Sequence, residues 1–280
     1  MTTELVPFTT TALVPFKRRR HFGGTAFKLV VALLYLFILA PLIVVMIISF
    51  SSNQYLSFPP RGFSLRWYEG LPQQTVFMTG LKVSLISASL VTVIVIAIGV
   101  PAALAIARHE FKGKDLIASL FLSPLIVPTI VLAIGLLMML GPLGWANTYQ
   151  AIVIGHLSIT LPYIIRTTLI TLQTSDTSCE AAARILGADA WTTFRRITLP
   201  IIAPGIAAGA IMAFIVSFDE AVISLFVAQS GLRTLPVEIL TYVENQADAS
   251  VAALSGCLIL FSIVIVVTVE RLMGLRGALR

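Results

Sequence analysis

Six long apolar segments, separated by shorter polar ones, form the dominant pattern of the sequence. They cover residues 27–50, 81–107, 116–140, 149–172, 200–228 and 251–273. A helix needs about 20 largely apolar residues to cross the roughly 30 Å hydrocarbon core of a bilayer, and every segment is long enough. The pattern therefore predicts an all-α, polytopic membrane protein with six transmembrane helices.

The composition agrees with this prediction and limits the number of domains. Hydrophobic residues make up 58% of the chain, charged residues 11%, and the mean hydropathy is +0.97. Soluble domains are about half apolar and about a quarter charged. Since no long polar stretch remains for a soluble domain, we expect an N-terminal tail at 1–26, a transmembrane domain at 27–273 with a polar loop at about 174–199, and a short tail at 274–280.

The distribution of basic residues predicts the orientation in the membrane. The net charge is +6, and 15 of the 19 Lys and Arg residues lie in the N-terminal segment, the 108–115 loop, the 166–199 region and the C-terminal tail. The other four are Arg61, Arg66, Lys82 and Arg233. Basic residues are retained on the cytoplasmic side. Both termini and the 174–199 loop are therefore expected in the cytoplasm, and the charge indicates contact with lipid rather than with nucleic acid.

Helix breakers interrupt several of the apolar segments. Pro124 and Pro128 lie in the third segment, Gly99 and Pro101 are expected to interrupt the second, and Pro162 the fourth. Prolines in spanning helices often mark a pathway through the protein, although a simple packing kink is an equally physical explanation. The basic N-terminus resembles a secretion signal, but the first apolar segment is long enough to span and lacks a small-residue cleavage site, so we expect it to be retained.

The 174–199 loop has the pattern of two short helices. Ala182, Ile185 and Leu186 are spaced to share one helical face, and Gly187 is suited to end that helix. A second short helix is predicted around Trp191, and Pro200 suits the first turn of the fifth span. The loop contains nothing that would bury the apolar face. It is predicted either to lie on lipid headgroups or to bind a partner protein.

The stretch EAAARILGADAWTTFRRITLP, residues 180–200, resembles the signature loop of permease subunits of bacterial ABC importers. That signature is Glu-Ala-Ala, three residues, Gly, nine residues, Ile, one residue and Leu-Pro. Gly187, Ile197, Leu199 and Pro200 match its spacing in full. The acid departs from it, because the family position six residues before the glycine is Ala181 here and the acid is Glu180, one place upstream.

The resemblance implies the type I ABC importer permease fold, with this loop as a coupling helix seated in a cleft of a cytoplasmic ATPase. It implies as partners two ATPase subunits, a second permease subunit, which we expect to be a different chain, and an extracytoplasmic solute-binding protein at a bacterial inner membrane. This chain would hold no cofactor, since ATP and Mg would be bound by the ATPases. The implied coupling residues are Glu180, Ala181, Ala182, Ala183, Gly187, Ala188, Ile197, Leu199 and Pro200.

The likeness is greatest to the second permease subunit of spermidine/putrescine-type systems. It is carried by FSSNQYLSFPPRGFSLRWYEGL, by SPLIVPTIVLAIGLL and by SFDEAVISLFVAQSGLRTLPVEI. The implied cargo is a polyamine. Related permeases carry opines, aminoethylphosphonate or ferric iron, and these cargoes stay open as alternatives.

Two further pairs of residues are candidates for function. Asp219 and Glu220 are the acids well inside an apolar segment, where an acid usually faces a cavity or a cation. They are predicted to line the substrate pathway or, alternatively, to pair with a cation of the second permease or to reach the outer surface. Trp67 and Tyr68 are predicted either to dock the solute-binding protein or to form an interfacial aromatic belt.

The sequence contains none of the common catalytic or metal-binding motifs. It has no G-x-x-x-x-G-K-[ST] phosphate loop, no HExxH, no paired-Cys zinc spacing and no nucleophile elbow. We therefore expect a non-catalytic chain without a metal site. An ion-gradient-driven secondary transporter is the less favoured alternative, because no internal repeat is evident and the acids are not at the midplane. A membrane scaffold is another alternative, against which the broken helices argue.

Overall fold

The computed structural model describes residues 22–228, 231–246 and 248–273, and within these ranges all regular structure is helical. The chain divides into two units, residues 1–45 and 46–280. The helices are α1 (Phe22–Ser49), α2 (Arg66–Gly70), α3 (Thr75–Arg108), α4 (Lys114–Leu122), α5 (Thr129–Leu140), α6 (Tyr149–Thr174), α7 (Ser178–Ile185), α8 (Ala190–Thr193), α9 (Leu199–Phe218), α10 (Val222–Val227), α11 (Leu235–Asn245) and α12 (Ser250–Met273).

Five helical segments of the described chain are long and apolar enough to cross a membrane. They are Ala26–Ser49, Thr75–Arg108, Tyr149–Thr174, Ala190–Phe218 and Ser250–Thr268, which correspond to the first, second, fourth, fifth and sixth predicted spans. The bent pair α4–α5 would make a sixth if it spans as one unit. The prediction of an all-α polytopic protein is confirmed.

The third predicted span is broken at Pro124 and Pro128, the two residues that the sequence identifies as helix breakers there. α4 continues into a 3₁₀ turn at Ser123–Leu125, and this segment meets α5 at an angle of 102° across residues 126–128. Pro124 lies in that turn, and Pro128 precedes α5 with an extended ψ of 128°. A proline lacks the N–H that would continue the helix, and it also disfavours helical geometry at the residue before it. Two prolines so close together therefore produce a break instead of a kink.

The prolines in the other spans do not interrupt their helices. α3 runs for 34 residues through Gly99 and Pro101, so the expected interruption of the second span is wrong. α6 likewise continues through Pro162. A single proline removes one hydrogen bond, and its freed carbonyl can be satisfied locally when neighbouring helices hold the rod together.

The fifth span differs from its prediction at both ends. α8, a π-helical turn at Phe194–Thr198 and α9 follow one another without a gap, so the predicted second short helix is the first part of one long rod. At the other end α9 stops at Phe218, and α10 begins only at Val222. The prediction of one continuous helix over 200–228 is therefore wrong at residues 219–221.

The central core is formed by α3, α6 and α9, whose buried side chains meet at Val91, Val95, Ile164, Ile165, Leu172 and Ile202. Gly205 and Gly209 let α9 approach α6 closely. A β-carbon on Gly209 would lie 2.8 Å from the Cα of Ile164, and one on Gly205 would lie 3.0 Å from the carbonyl oxygen of Thr167. Small residues four apart are a common device for close helix packing in membranes. Residues 205–209 read Gly-Ile-Ala-Ala-Gly, which is a G-x-x-x-G motif.

Two smaller clusters complete the packing of the second unit. One joins α5, α6 and α10 through Ala133, Ile152 and Ile223. The other joins the start of α3 to α11 and α12 through Phe77, Leu235 and Leu254. The Ser84 hydroxyl accepts a hydrogen bond of 2.9 Å from the backbone N–H of Leu235, which fixes α11 against α3.

Candidate functional site

The loop between α6 and α8, residues 175–189, contains α7 and is here named the hook. Asp176 fixes its first turn: one carboxylate oxygen accepts from the backbone N–H of Ser178 at 2.9 Å and the other from its hydroxyl at 2.7 Å. These hydrogen bonds, the backbone one first, hold the pKa of Asp176 below its ordinary value. α7 therefore begins at a defined residue.

Gly187 ends α7, as its position in the sequence predicts. Its φ of +87° lies in the left-handed region, its N–H donates to the carbonyl of Arg184, and the Ala188 N–H donates to the carbonyl of Ala183, both at 3.0 Å. This pair of bonds is the Schellman arrangement. Asp189 then caps α8 by accepting from the Thr192 N–H at 3.2 Å, and hydrogen bonding from Thr192 lowers the pKa of Asp189. Both turns of the hook are thus held by local bonds.

The far end of the hook presents an apolar face with no cover from the described chain. Ile185 is 86% exposed and Leu186 87% exposed, and Trp191 on α8 is also exposed, with its ring 5.7 Å from that of Phe194. The helical spacing of Ala182, Ile185 and Leu186 predicts this face. The signature motif does not point to Ile185, Leu186 or Trp191, and periodicity is the signal that identifies them.

The remaining residues implied by the motif lie at different depths. Ala181, Ala182 and Pro200 are exposed, and Ala183, Ala188, Ile197 and Leu199 are half-buried. Pro200 lies in the first turn of α9, as predicted.

Glu180 faces into the protein and away from the apolar face. Its Oε1 lies 2.8 Å from Nη2 of Arg108, the last residue of α3, and accepts a hydrogen bond of 3.0 Å from the hydroxyl of Thr198. Its side chain is only 8% exposed. The acid that departs from the family spacing is therefore already paired within the chain.

The two acids of the fifth span occupy the break between α9 and α10 and differ in their surroundings. Oε1 of Glu220 accepts from the Ile223 N–H at 2.9 Å and so caps α10. Asp219 is exposed and has no ion-pair or hydrogen-bond partner for its carboxylate in the described part of the chain. It lines a pocket with Phe214, Phe218 and Phe261, and the Phe218 ring lies 6.1 Å from that of Phe214 and 5.9 Å from that of Phe261. The structure thus separates two residues that the sequence treats as a pair.

His156 holds the same break from the side of α6. Its Nδ1 lies 2.8 Å from the Ser217 hydroxyl near the end of α9, and its Nε2 lies 2.9 Å from the Ser224 hydroxyl on α10. All three residues are buried. A polar group this deep needs hydrogen-bond partners on both nitrogens. His156 therefore fixes both sides of the break to α6, a role that no local sequence signal reveals.

Trp67 and Tyr68, the predicted docking pair, are half-buried and engaged within the second unit. The Trp67 indole N–H donates to the carbonyl of Ser51 at 3.0 Å, and the Tyr68 hydroxyl donates to Ser49 Oγ at 2.7 Å. Arg66 lies 4.4 Å from the centre of the Trp67 ring. These contacts anchor the segment after α1, and docking of a binding protein here stays a prediction.

No group of three or more His, Cys, Asp or Glu residues in the described ranges is arranged to hold a metal ion.

The chain is similar in sequence to known transport proteins. The family model described as "binding-protein-dependent transport system inner membrane component" matches residues 96–274. The spermidine/putrescine transport system permease protein PotC of Escherichia coli K12 is 30% identical over 234 residues, covering 84% of this chain and 88% of PotC. The putrescine transport system permease protein PotI of the same strain is 31% identical over 236 residues, covering 81% and 84%.

A solved structure shares the fold. It is that of a bacterial alginate ABC transporter in complex with an alginate pentasaccharide-bound periplasmic protein, and the matching chain superposes with a TM-score of 0.68. The match covers 89% of this chain and 92% of that chain at 16% identity. The expected ABC importer permease fold is confirmed.

Proposed function

The chain belongs to the family of binding-protein-dependent transport system inner membrane components, and on that premise we propose that it forms half of the translocation pathway of an ATP-driven importer of polyamines. As a member of this family it is a multi-pass membrane protein with a transport role. The finer parts of the proposal concern its partners, its orientation and its cargo.

The exposed apolar face of the hook is the observation that supports coupling to an ATPase. Ile185 and Leu186 stand at the end of a helix that is stopped by Gly187, and Asp176 holds the first residue of that helix by accepting from the Ser178 N–H. A short helix with fixed ends transmits a push, whereas a flexible loop would absorb it. We assign the hook to the cytoplasm, with both termini, because the basic residues concentrate on that side.

The partners follow from the same role. The chain lacks a phosphate-binding loop, so ATP hydrolysis belongs to two ATPase subunits that bind ATP and Mg. One permease chain with five or six spans is half of a pathway, so a second permease subunit, a different chain in our proposal, completes it. A solute-binding protein delivers the cargo, by analogy with the alginate ABC transporter, which was solved in complex with a periplasmic protein that holds an alginate pentasaccharide.

The proposed cargo is a polyamine, because two relatives that this chain matches over most of its length are named as spermidine/putrescine and putrescine permeases. The pocket at Asp219 has chemistry suited to such a cargo. A carboxylate attracts an ammonium group, and aromatic rings bind both the cation and the methylene chain between two cations. Asp219 is therefore proposed as a pathway contact, while Glu220 serves the start of α10.

Reconstitution tests the proposal. The complex is purified with its ATPase and second permease, inserted into proteoliposomes and supplied with binding protein and labelled putrescine or spermidine. We expect uptake that requires ATP on the ATPase side, stops with vanadate and survives an uncoupler. Uptake driven by an ion gradient without ATP would contradict an ATP-driven importer, and ATP-dependent uptake of a different solute alone would contradict the polyamine cargo.

A further inference from the structure

Three elements, α3, α7 and the α8–α9 rod, meet at the carboxylate of Glu180. From this contact we infer that Glu180 is a positioning residue that locks the hook to α3 and to the α8–α9 rod, so that a push on the hook moves both helices together. The inference rests on the proposed function, since it describes how the hook passes motion to the spans.

The geometry gives a single atom two partners. Oε1 of Glu180 lies 2.8 Å from the guanidinium of Arg108, 72 residues away, and 3.0 Å from the hydroxyl of Thr198, 18 residues away. Arg108 ends α3, and Thr198 ends the π-helical turn that leads into α9. One carboxylate thereby ties the start of α7 to two separate spans.

The path of the chain alone does not provide this attachment. α7 is joined to α6 through residues 175–177 and to the rod through residues 186–189, and neither connection is helical. Gly187 introduces a left-handed turn into the second connection. The contact with Arg108 is a link to α3 that has no covalent counterpart, and together with the two chain connections it gives α7 a third point of support.

Stability is a poor explanation for this ion pair. Burying two charges costs desolvation energy that their attraction often only balances, so a buried pair is better suited to fixing one geometry than to adding stability. The side chains are 8% exposed for Glu180 and 23% for Arg108. In such a shielded position the hydrogen bond is directional, and it holds the two side chains in one arrangement.

The direction of the side chain excludes a shared role with the docking face. At about 100° per residue, Ile185 and Leu186 lie more than 100° around the helix from Glu180. Their exposure and the burial of Glu180 agree with this rotation. Glu180 therefore acts through Arg108 and Thr198, while a partner contacts the opposite face.

The test compares Glu180→Gln and Arg108→Gln with a matched surface pair. Glu110 and Lys114 also form a 2.8 Å ion pair close to the end of α3, but the Glu110 side chain is 91% exposed. Each variant is assayed in the complete complex in proteoliposomes for three quantities: ATPase copurification, ATP hydrolysis rate, and solute transported per ATP hydrolysed.

For Glu180→Gln and Arg108→Gln we expect normal copurification of the ATPase and continued hydrolysis, with solute transported per ATP reduced about tenfold, the size expected for one lost hydrogen bond between charged groups. Glu110→Gln should match the wild type. The double variant Glu180→Gln with Arg108→Gln should lose no more than either single variant, because both remove the same link.

Two outcomes would overturn the inference: an unchanged transport-to-hydrolysis ratio in Glu180→Gln, or loss of ATPase copurification in that variant, which would place the acid in the docking contact. Thr198→Ala, which removes only a hydroxyl, covers the case in which a charge change prevents folding, and it should lower the same ratio by a smaller factor. Absence of ATP-driven uptake in the wild type would instead contradict the proposed function.

Discussion

Truncation of Ile185 and Leu186 to alanine should separate the permease from its ATPase without disturbing the hook itself. Alanine is the best helix former, so α7 should keep its conformation in the double variant. Gly187 and Asp176, which fix its ends, are unchanged. The perturbation therefore removes apolar surface and little else.

The expected magnitude follows from the exposure of the two side chains. They are 86% and 87% exposed, so nearly all of their surface is available to be buried by a partner. Full burial of an Ile or Leu side chain contributes about 1.5–3 kcal/mol, and about 2 kcal/mol of that is lost when only the β-carbon remains. Loss of both side chains then amounts to about 4 kcal/mol, which weakens binding of the ATPase about a thousandfold.

The assay is a titration of purified ATPase against the permease pair in lipid nanodiscs. Leu116→Ala with Leu120→Ala is a matched control, since these α4 side chains are 74% and 68% exposed but lie outside the hook. We expect the control to bind like the wild type. If the hook variant and the control have the same dissociation constant, the assignment of this face to the ATPase is wrong.

Two other changes test the core and the pathway. Gly209→Ala should destabilise the complex by about 1–3 kcal/mol, because its β-carbon would lie 2.8 Å from the Cα of Ile164, whereas Gly135→Ala, with no neighbour within 4 Å, should be at least as stable as the wild type. Thermal unfolding in detergent measures both variants. Equal melting temperatures for Gly209→Ala and the wild type would contradict the close packing of α6 and α9. Asp219→Asn should reduce polyamine uptake by an order of magnitude at an unchanged ATPase rate, because it removes a carboxylate charge from the pocket. Glu220→Gln should have a small effect, because its amide oxygen still accepts from the Ile223 N–H. Equal uptake in both variants and the wild type would exclude Asp219 from the pathway.

The sequence predicts features that depend on composition over long windows. Spans such as α3 and α6 are recognisable because lipid requires about 20 apolar residues wherever a helix crosses it. Gly187 is also predictable, because a glycine after an amphipathic turn has a local conformational reason to end the helix. The exposed hook face is predictable for a similar local reason, since the helical spacing of Ala182, Ile185 and Leu186 puts them on one face.

Features that depend on tertiary contacts were not predictable in the same way. The break at residues 219–221 has no proline or glycine close to it, since residues 210–228 contain neither. The bonds from His156 to Ser217 and Ser224 that support it join residues 61 and 68 positions apart. The inward direction of Glu180 depends on Arg108, 72 residues away. The effect of a proline on its helix also depends on its surroundings and cannot be predicted from the residue alone. Pro101 leaves α3 intact, while the chain bends by 102° next to Pro124 and Pro128.

The central claim is that a separate ATPase binds the apolar face of the hook. The most direct test places a photo-reactive amino acid at Leu186 in the intact complex and identifies what it labels on irradiation. We predict a single crosslinked product between this chain and the ATPase, absent when the same group replaces Leu116. Labelling of lipid at Leu186, with no ATPase adduct in the assembled complex, would contradict the account.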